Sequence, residues 1–214
     1  MIRISIFISI FLLFITLPIS VVADQHSGFL EDYSNLISDP DRSGAMIYRK
    51  AGVSLGAYDK IMIAPIEIWY SPDTKYKGVS PDEMKLLADT FASIITNELE
   101  PDYPVIGSPG KGVLVVRLAI TNLKMKKKKR GLLGYMPIGA ALTAVQDMAG
   151  KRIILADATI EAELLDGESG ERLGTLVDSL SETVSKKDKP SWASLEQALT
   201  FYAKRFRSRL DAEH

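Results

Sequence analysis

The chain has 214 residues with 26 basic and 27 acidic side chains, a formal net charge of −1, two histidines and no cysteine. That near-neutral balance gives no basis for nucleic-acid binding. The histidines, His26 and His214, lie close to the two ends, so neither a transition-metal site nor a Ser/His or Cys/His nucleophile pair has its raw material, and no cofactor is implied.

Residues 1–23 read as a secretory signal peptide. Met1-Ile2-Arg3 supplies a basic start, Ile4 to Thr16 an uncharged run that is apolar except for Ser5, Ser9 and Thr16, and Ala23, with Val21 two positions before it, the cleavage point. Ile4 to Val22 is also close to the roughly 20 residues that cross a bilayer, so retention would make it an anchor. Against retention, Pro18 and Ser20 interrupt the run and no Lys or Arg follows before Arg42. The expected product starts at Asp24, is exported to the periplasm and carries 25 basic against 27 acidic residues. With no cysteine for disulfides or for lipidation, its core must hold it together.

Residues 24–59 are turn-rich, punctuated by Asp39-Pro40-Asp41, Ser43-Gly44 and Gly52, and are expected to form an irregular N-terminal strap. From Lys60 to Tyr70, Met62, Ala64, Ile66 and Ile68 recur at period two, which predicts a strand; Pro65 cannot donate to a ladder and argues for an edge or a bulge. The loop after it presents Tyr70, Asp73, Tyr76 and Lys77 as a candidate recognition surface. Ser80-Pro81-Asp82-Glu83 then combines a Ser cap, a first-turn Pro and a closing Glu, the signature of a helix start. Met84, Leu87, Phe91, Ile94, Ile95 and Leu99 give that helix one apolar face, and Pro101 ends it.

A second strand is expected over Gly112 to Leu123, with Leu114, Val116, Leu118 and Ile120 on one face and Val113, Val115, Arg117, Ala119 and Thr121 on the other. Directly after it comes the sharpest charge feature, Lys124, Lys126, Lys127, Lys128, Lys129 and Arg130. As a solvated loop it is ordinary in composition; as a contact surface it would meet a partner protein or an anionic membrane. The segment 131–150 is almost wholly apolar. A helix starting near Met136 would reach about 21 Å, short of the ~30 Å hydrocarbon core, so it is expected either to pack on the sheet or to lie in a membrane interface.

The alternation of Ile154, Ala156, Ala158, Ile160, Ala162 and Leu164 against Asp157, Thr159, Glu161 and Glu163 predicts a strand over Ile153 to Leu165. Asp166 to Gly170 turns it into a partner strand running from Arg172 to Glu182. One face of this sheet reads as wet, which favours antiparallel pairing. Ser191 caps a last helix with the stripe Trp192, Leu195, Leu199, Tyr202, Phe206 and Leu210. The expected fold is α+β, an antiparallel sheet with helices packed on one face, forming a single domain over 60–214.

The stripe Asp157, Glu161 and Glu163 is the one carboxylate cluster on an expected regular element, and Glu161 and Glu163 are its candidate acid–base pair. Alternate strand residues lie about 7 Å apart, within the roughly 6.5–9.5 Å of an inverting glycoside hydrolase. Polar alternation on a solvated strand face accounts for them without catalysis.

Four stretches, Ser27 to Leu36, Tyr58 to Trp69, Tyr76 to Glu83 and Ala158 to Asp166, together resemble the bacterial envelope family known as domain of unknown function 3313. The resemblance extends over most of the chain. It implies a Gram-negative envelope setting, where many members look like lipoproteins, and carries over no catalytic residue; this chain departs in lacking the lipidated Cys. More weakly, the element order is similar to small domains of envelope accessory proteins, an analogy of fold alone. The expected function is therefore that of a non-enzymatic periplasmic accessory protein that binds an envelope protein partner or the membrane surface. The alternative is a cell-wall glycan hydrolase using Glu161 and Glu163.

Overall fold

The computed structural model describes residues 26–72, 74, 81–127, 151–154, 158–180 and 192–214. Asp73, Tyr76, Lys77, Ser80, Lys128, Lys129, Arg130, Asp157, Ser191, the N-terminal segment and the apolar stretch 131–150 lie outside these residues.

Strand β5 (Val113–Lys127) organises the sheet. On one side it pairs antiparallel with β7 (Thr159–Asp166), from Leu114 opposite Asp166 to Thr121 opposite Thr159. β7 pairs antiparallel with β8 (Arg172–Ser179), and beyond it lie β2 (Met46–Arg49) and β1 (Ile37–Ser38). In the other direction β3 (Lys60–Ile63) and β4 (Glu67–Tyr70) both run parallel to β5. Between these two strands Pro65 offers no N–H and the ladder lapses, although the Ala64 N–H still donates to the Val116 carbonyl at 2.9 Å. The sheet is thus mixed and mostly antiparallel, which corrects the expectation of a purely antiparallel one. Its cause is in the connectivity: helix α1 (Pro81–Leu99) lies between β4 and β5, and a crossover of that length lets the two strands run the same way.

The β7–β8 turn is built by Asp166, whose Oδ1 accepts the Ser169 N–H at 2.7 Å and the Glu168 N–H at 3.1 Å. Gly167 is required there, because a Cβ would sit 2.5 Å from the Val113 carbonyl oxygen.

Leu87, Phe91, Ile95 and Leu99 put one face of α1 into the core, and Leu195, Leu199, Tyr202 and Leu210 do the same for α2 (Trp192–Asp211). They share a single cluster with Leu114, Val116, Leu118 and Ile120 of β5 and Ile160 of β7. Arg207 of α2 caps the end of α1: its Nη1 donates to the carbonyls of Glu98 at 3.0 Å and Leu99 at 3.4 Å, the latter also accepting the Tyr103 N–H at 3.0 Å.

The opposite face departs from expectation. Residues 26–36 fold across it, with Phe29 and Leu30 buried against Ala119, so Thr121, Glu161 and Glu163 are enclosed rather than wet. Residues 26–59 are also less irregular than their composition suggests, since they supply β1 and β2 and a short 3-10 turn at Leu55–Ala57. Strand β5 runs past Leu123, so Lys124, Lys126 and Lys127 belong to a strand and not to a loop. Asn122 is left-handed at φ 53°. Around it, pairing with β7 stops at Thr121 and pairing with β6 (Lys151–Ile154) starts at Lys124, its register shifted by two residues. The single strand expected over 153–165 is therefore two pairings.

Candidate functional site

Glu161 and Glu163 are each 2 % exposed. Glu161 accepts a hydrogen bond on each oxygen, from the Tyr33 hydroxyl at 2.6 Å and from Thr121 Oγ1 at 2.6 Å. Glu163 lies between two guanidinium groups, Arg117 Nη1 and Arg172 Nε, each 2.5 Å away. Strap residues complete the arrangement. The Tyr33 hydroxyl is 3.1 Å from Ser27 Oγ and accepts the Leu30 N–H at 3.1 Å, and Arg117 lies over the Phe29 ring at 5.0 Å. Burial, and then the bond to Glu161, push the Tyr33 phenol above its ordinary pKa. Charged groups taken from water must be paired to be tolerated, and these are. The arrangement is a latch between strap and sheet, with both carboxylates engaged by neighbouring side chains.

A second buried ionic cluster joins the N-terminal segment to α2. Asp39, with a fully buried side chain, receives both Arg205 and Arg209, and Asp178 pairs with Arg42. Arg42 lies over the rings of Phe201 at 4.9 Å and Tyr202 at 5.9 Å. Burial above all, and then the neighbouring Asp178 carboxylate, hold the Tyr202 phenol far above its usual range; its hydroxyl donates to the Ser179 carbonyl at 3.4 Å. Sequence reading missed this cluster because its members come from residues 39, 42, 178, 205 and 209; Asp178 on the inner run of a strand was the one available signal.

Of the candidate recognition loop, Tyr70 is described, and it turns inward: its hydroxyl lies 3.0 Å from Met84 Sδ on α1. Of the basic run, Lys124, Lys126 and Lys127 are described, and the register of β5 with β6 is informative. Lys126 is directly opposite Arg152, and Lys127 directly opposite Lys151. Five cations thus occupy eight ladder positions that hold no carboxylate.

Tyr58 and Asp166 form a further pair at the β7–β8 turn, the hydroxyl donating to Oδ2 at 2.9 Å. The Ser169 N–H above all, with the Ser169 and Tyr58 hydroxyls, pulls Asp166 from 3.8 down to about 2. Burial, and then Asp166, push Tyr58 from 10.0 up to about 12. A lowered carboxylate stabilises the fold above its unfolded pKa and stops doing so as pH falls through the folded one; a raised phenol stabilises below its unfolded pKa and stops as pH rises. The stability difference between the wild type and Tyr58→Phe should therefore be flat from about pH 5 to 9, and shrink both below pH 4 and above pH 10. Urea unfolding across that range checks it; a difference that persists undiminished at pH 11.5 would contradict the pairing.

A cavity of about 130 Å³ lies between the sheet and the helices, lined mainly by aliphatic side chains. Among the described residues no group of three or more His, Asp or Glu could hold a metal ion, and no helix is long and apolar enough to cross a membrane.

Taken together, the mixed sheet, its two core helices and the ion-paired strap latch define an α+β protein whose described polar clusters tie elements together. The chain belongs to the family described as Protein of unknown function (DUF3313), which it matches over residues 25–206. No curated protein matches it. Among solved structures it is similar to the PelC dodecamer of Paraburkholderia phytofirmans, at 17 % identity and a TM-score of 0.40, and to a leucine-to-methionine variant of that dodecamer from the same organism, at 16 % and 0.38; in both cases 78 % of this chain and 96 % of the other are covered.

Proposed function

We propose that the protein is an exported, non-enzymatic accessory protein of the cell envelope that works by binding, released from its signal peptide after Ala23. The β5–β6 ribbon is its contact surface, and an acidic face of another envelope protein is its target. Behind the ribbon stands a body with both helices against the sheet face opposite the strap. The observation that carries this reading is the register of the ribbon. Like charges directly opposite each other on neighbouring strands repel, so placing Lys126 against Arg152 and Lys127 against Lys151 is unfavourable for the ladder alone. An anionic partner lying on the ribbon turns that cost into attraction. The engagement of Glu161 and Glu163 in the strap latch supports a non-catalytic role for them.

A photo-crosslinker at position 154, on the same ribbon face as Lys126 and Arg152, should trap an acidic envelope protein in intact cells, and the purified pair should dissociate as salt rises. Reversing Lys126 and Arg152 to Glu should weaken the pair at least tenfold, with the unfolding midpoint nearly unchanged. Sedimentation of the protein with phosphatidylglycerol vesicles, abolished by the same reversals, would place the membrane surface ahead as the target; each cation near such a surface contributes about 1 kcal/mol. Salt-independent association that ignores both reversals would sink the ribbon as the contact.

A further inference from the structure

The cavity between sheet and helices exists because two positions on its sheet wall carry almost no side chain, Ala162 on β7 and Gly174 on β8. Around them stand Ile47, Leu164 and Leu176 of the sheet, with Phe91 and Ile95 of α1 and Phe206 of α2 opposite. Protein interiors are normally filled to the density of an organic crystal, so a hollow of about 130 Å³ at this place is a feature to be explained. Its lining gives water few partners. An apolar cavity of about 150 Å³ accepts benzene, which puts the capacity of this pocket, open to solvent beside Arg49 and Lys50, at about six carbons, the end of an aliphatic chain.

Charge decides what such a chain carries at its other end. Four cations line the cavity, Arg49, Lys50, Arg205 and Arg209, against two carboxylates, Asp39 and Glu213. Arg205 and Arg209 share the buried Asp39, and Arg209 also reaches Asp41 at 3.4 Å, so these two cations are already matched. Arg49 and Lys50 are held by Glu213 and Glu171, in pairs where Arg49 is 55 % and Glu171 56 % exposed. Exposed pairs of that kind are weak, so an incoming anion can replace Glu171 at Lys50 and share the open Arg49 with Glu213, which the Leu55 N–H at 2.6 Å keeps in place.

We propose that this cavity is a ligand site for a single-chain anionic amphiphile, its aliphatic end lying over Ala162 and Gly174 and its head group at Arg49 and Lys50. The site is separate from the ribbon and does not depend on it.

The purified protein should bind dodecanoate saturably at one site in isothermal titration, below the micellar concentration. Ala162→Phe, which fills the hollow, should weaken binding at least tenfold. Leu176→Trp fills it from the neighbouring strand and guards against misfolding of the first variant. Arg49→Ala combined with Lys50→Ala should weaken dodecanoate at least tenfold and dodecanol less than twofold. Lysophosphatidylglycerol binding more tightly than dodecanoate would identify a phospholipid source of the chain; the reverse order would identify a free fatty acid. The site is refuted if dodecanoate shows no saturable binding up to about 1 mM, the range of the weakest specific complexes, or if both filled variants fold and bind as the wild type does. Dodecanol bound as tightly as dodecanoate would refute the anionic head.

Discussion

Replacing Phe91 by alanine should lower the free energy of unfolding by about 3–5 kcal/mol, the range for truncating a buried aromatic in a packed core. Phe91 is 1 % exposed and sits in the cluster that holds α1, α2 and the core face of β5 together. The upper half of that range is expected here, because Phe91 also borders the cavity and its removal enlarges a hollow that already exists; the cost grows with the residual void. Urea unfolding followed by far-ultraviolet circular dichroism should show a lower midpoint with an unchanged slope. A loss below about 1 kcal/mol would mean that α1 does not rest on the sheet as described.

Glu163→Ala should cost about 2–3 kcal/mol. Removing one member of a buried pair typically costs about 3–5 kcal/mol because the other charge is stranded; here Arg117 is 34 % and Arg172 23 % exposed, and water carries part of the burden. The strap should loosen as well, since Arg172 Nη1 also reaches the Asp32 carbonyl at 3.4 Å and Arg117 covers Phe29. Limited proteolysis should then cut first within residues 26–36, while the wild type resists there. Glu163→Gln keeps the shape and an acceptor oxygen, and about half of the loss is expected. Equal resistance of the wild type and Glu163→Ala would show that the strap is held without the Glu163 pairs, by Phe29, Leu30 and the bond from Tyr33 to Glu161.

The helices were legible because their apolar spacing is long and regular, and the core face of β5 because Leu114, Val116, Leu118 and Ile120 alternate without a break. The strap latch was not, for a definite reason. Alternation reports that a face is polar, and Glu161 and Glu163 look the same whether water or Tyr33, Thr121, Arg117 and Arg172 satisfy them. The parallel pairing of β3 and β4 had a signal, the strand–helix–strand order from Lys60 to Lys127, which the polar alternation of β7 outweighed. Lys124 to Lys127 read as loop because lysine is poor in strands, but Met125 between two lysines is the alternation of a strand that continues. The cavity leaves no linear trace: Ala162 and Gly174 are ordinary strand residues until Phe91 and Phe206 are brought opposite them.

The sheet draws its strands from both ends of the chain, with Met46 opposite Val177 and Tyr33 closing on Glu161. Pairings between residues so far apart in sequence form slowly, so a newly made chain spends time with its strap undocked. In that interval the uncovered face displays Arg117, Thr121, Glu161, Glu163 and Arg172 among Val115, Ala119 and Val177, where the other side is lined by Leu114, Val116, Leu118 and Ile120. Hydrated charges of both signs do not adhere to one another as a greasy face would. The latch therefore has a second consequence: the late-closing side of the molecule remains soluble while it waits, and the chain is protected from self-association at the stage of folding where an exposed β-sheet is most vulnerable.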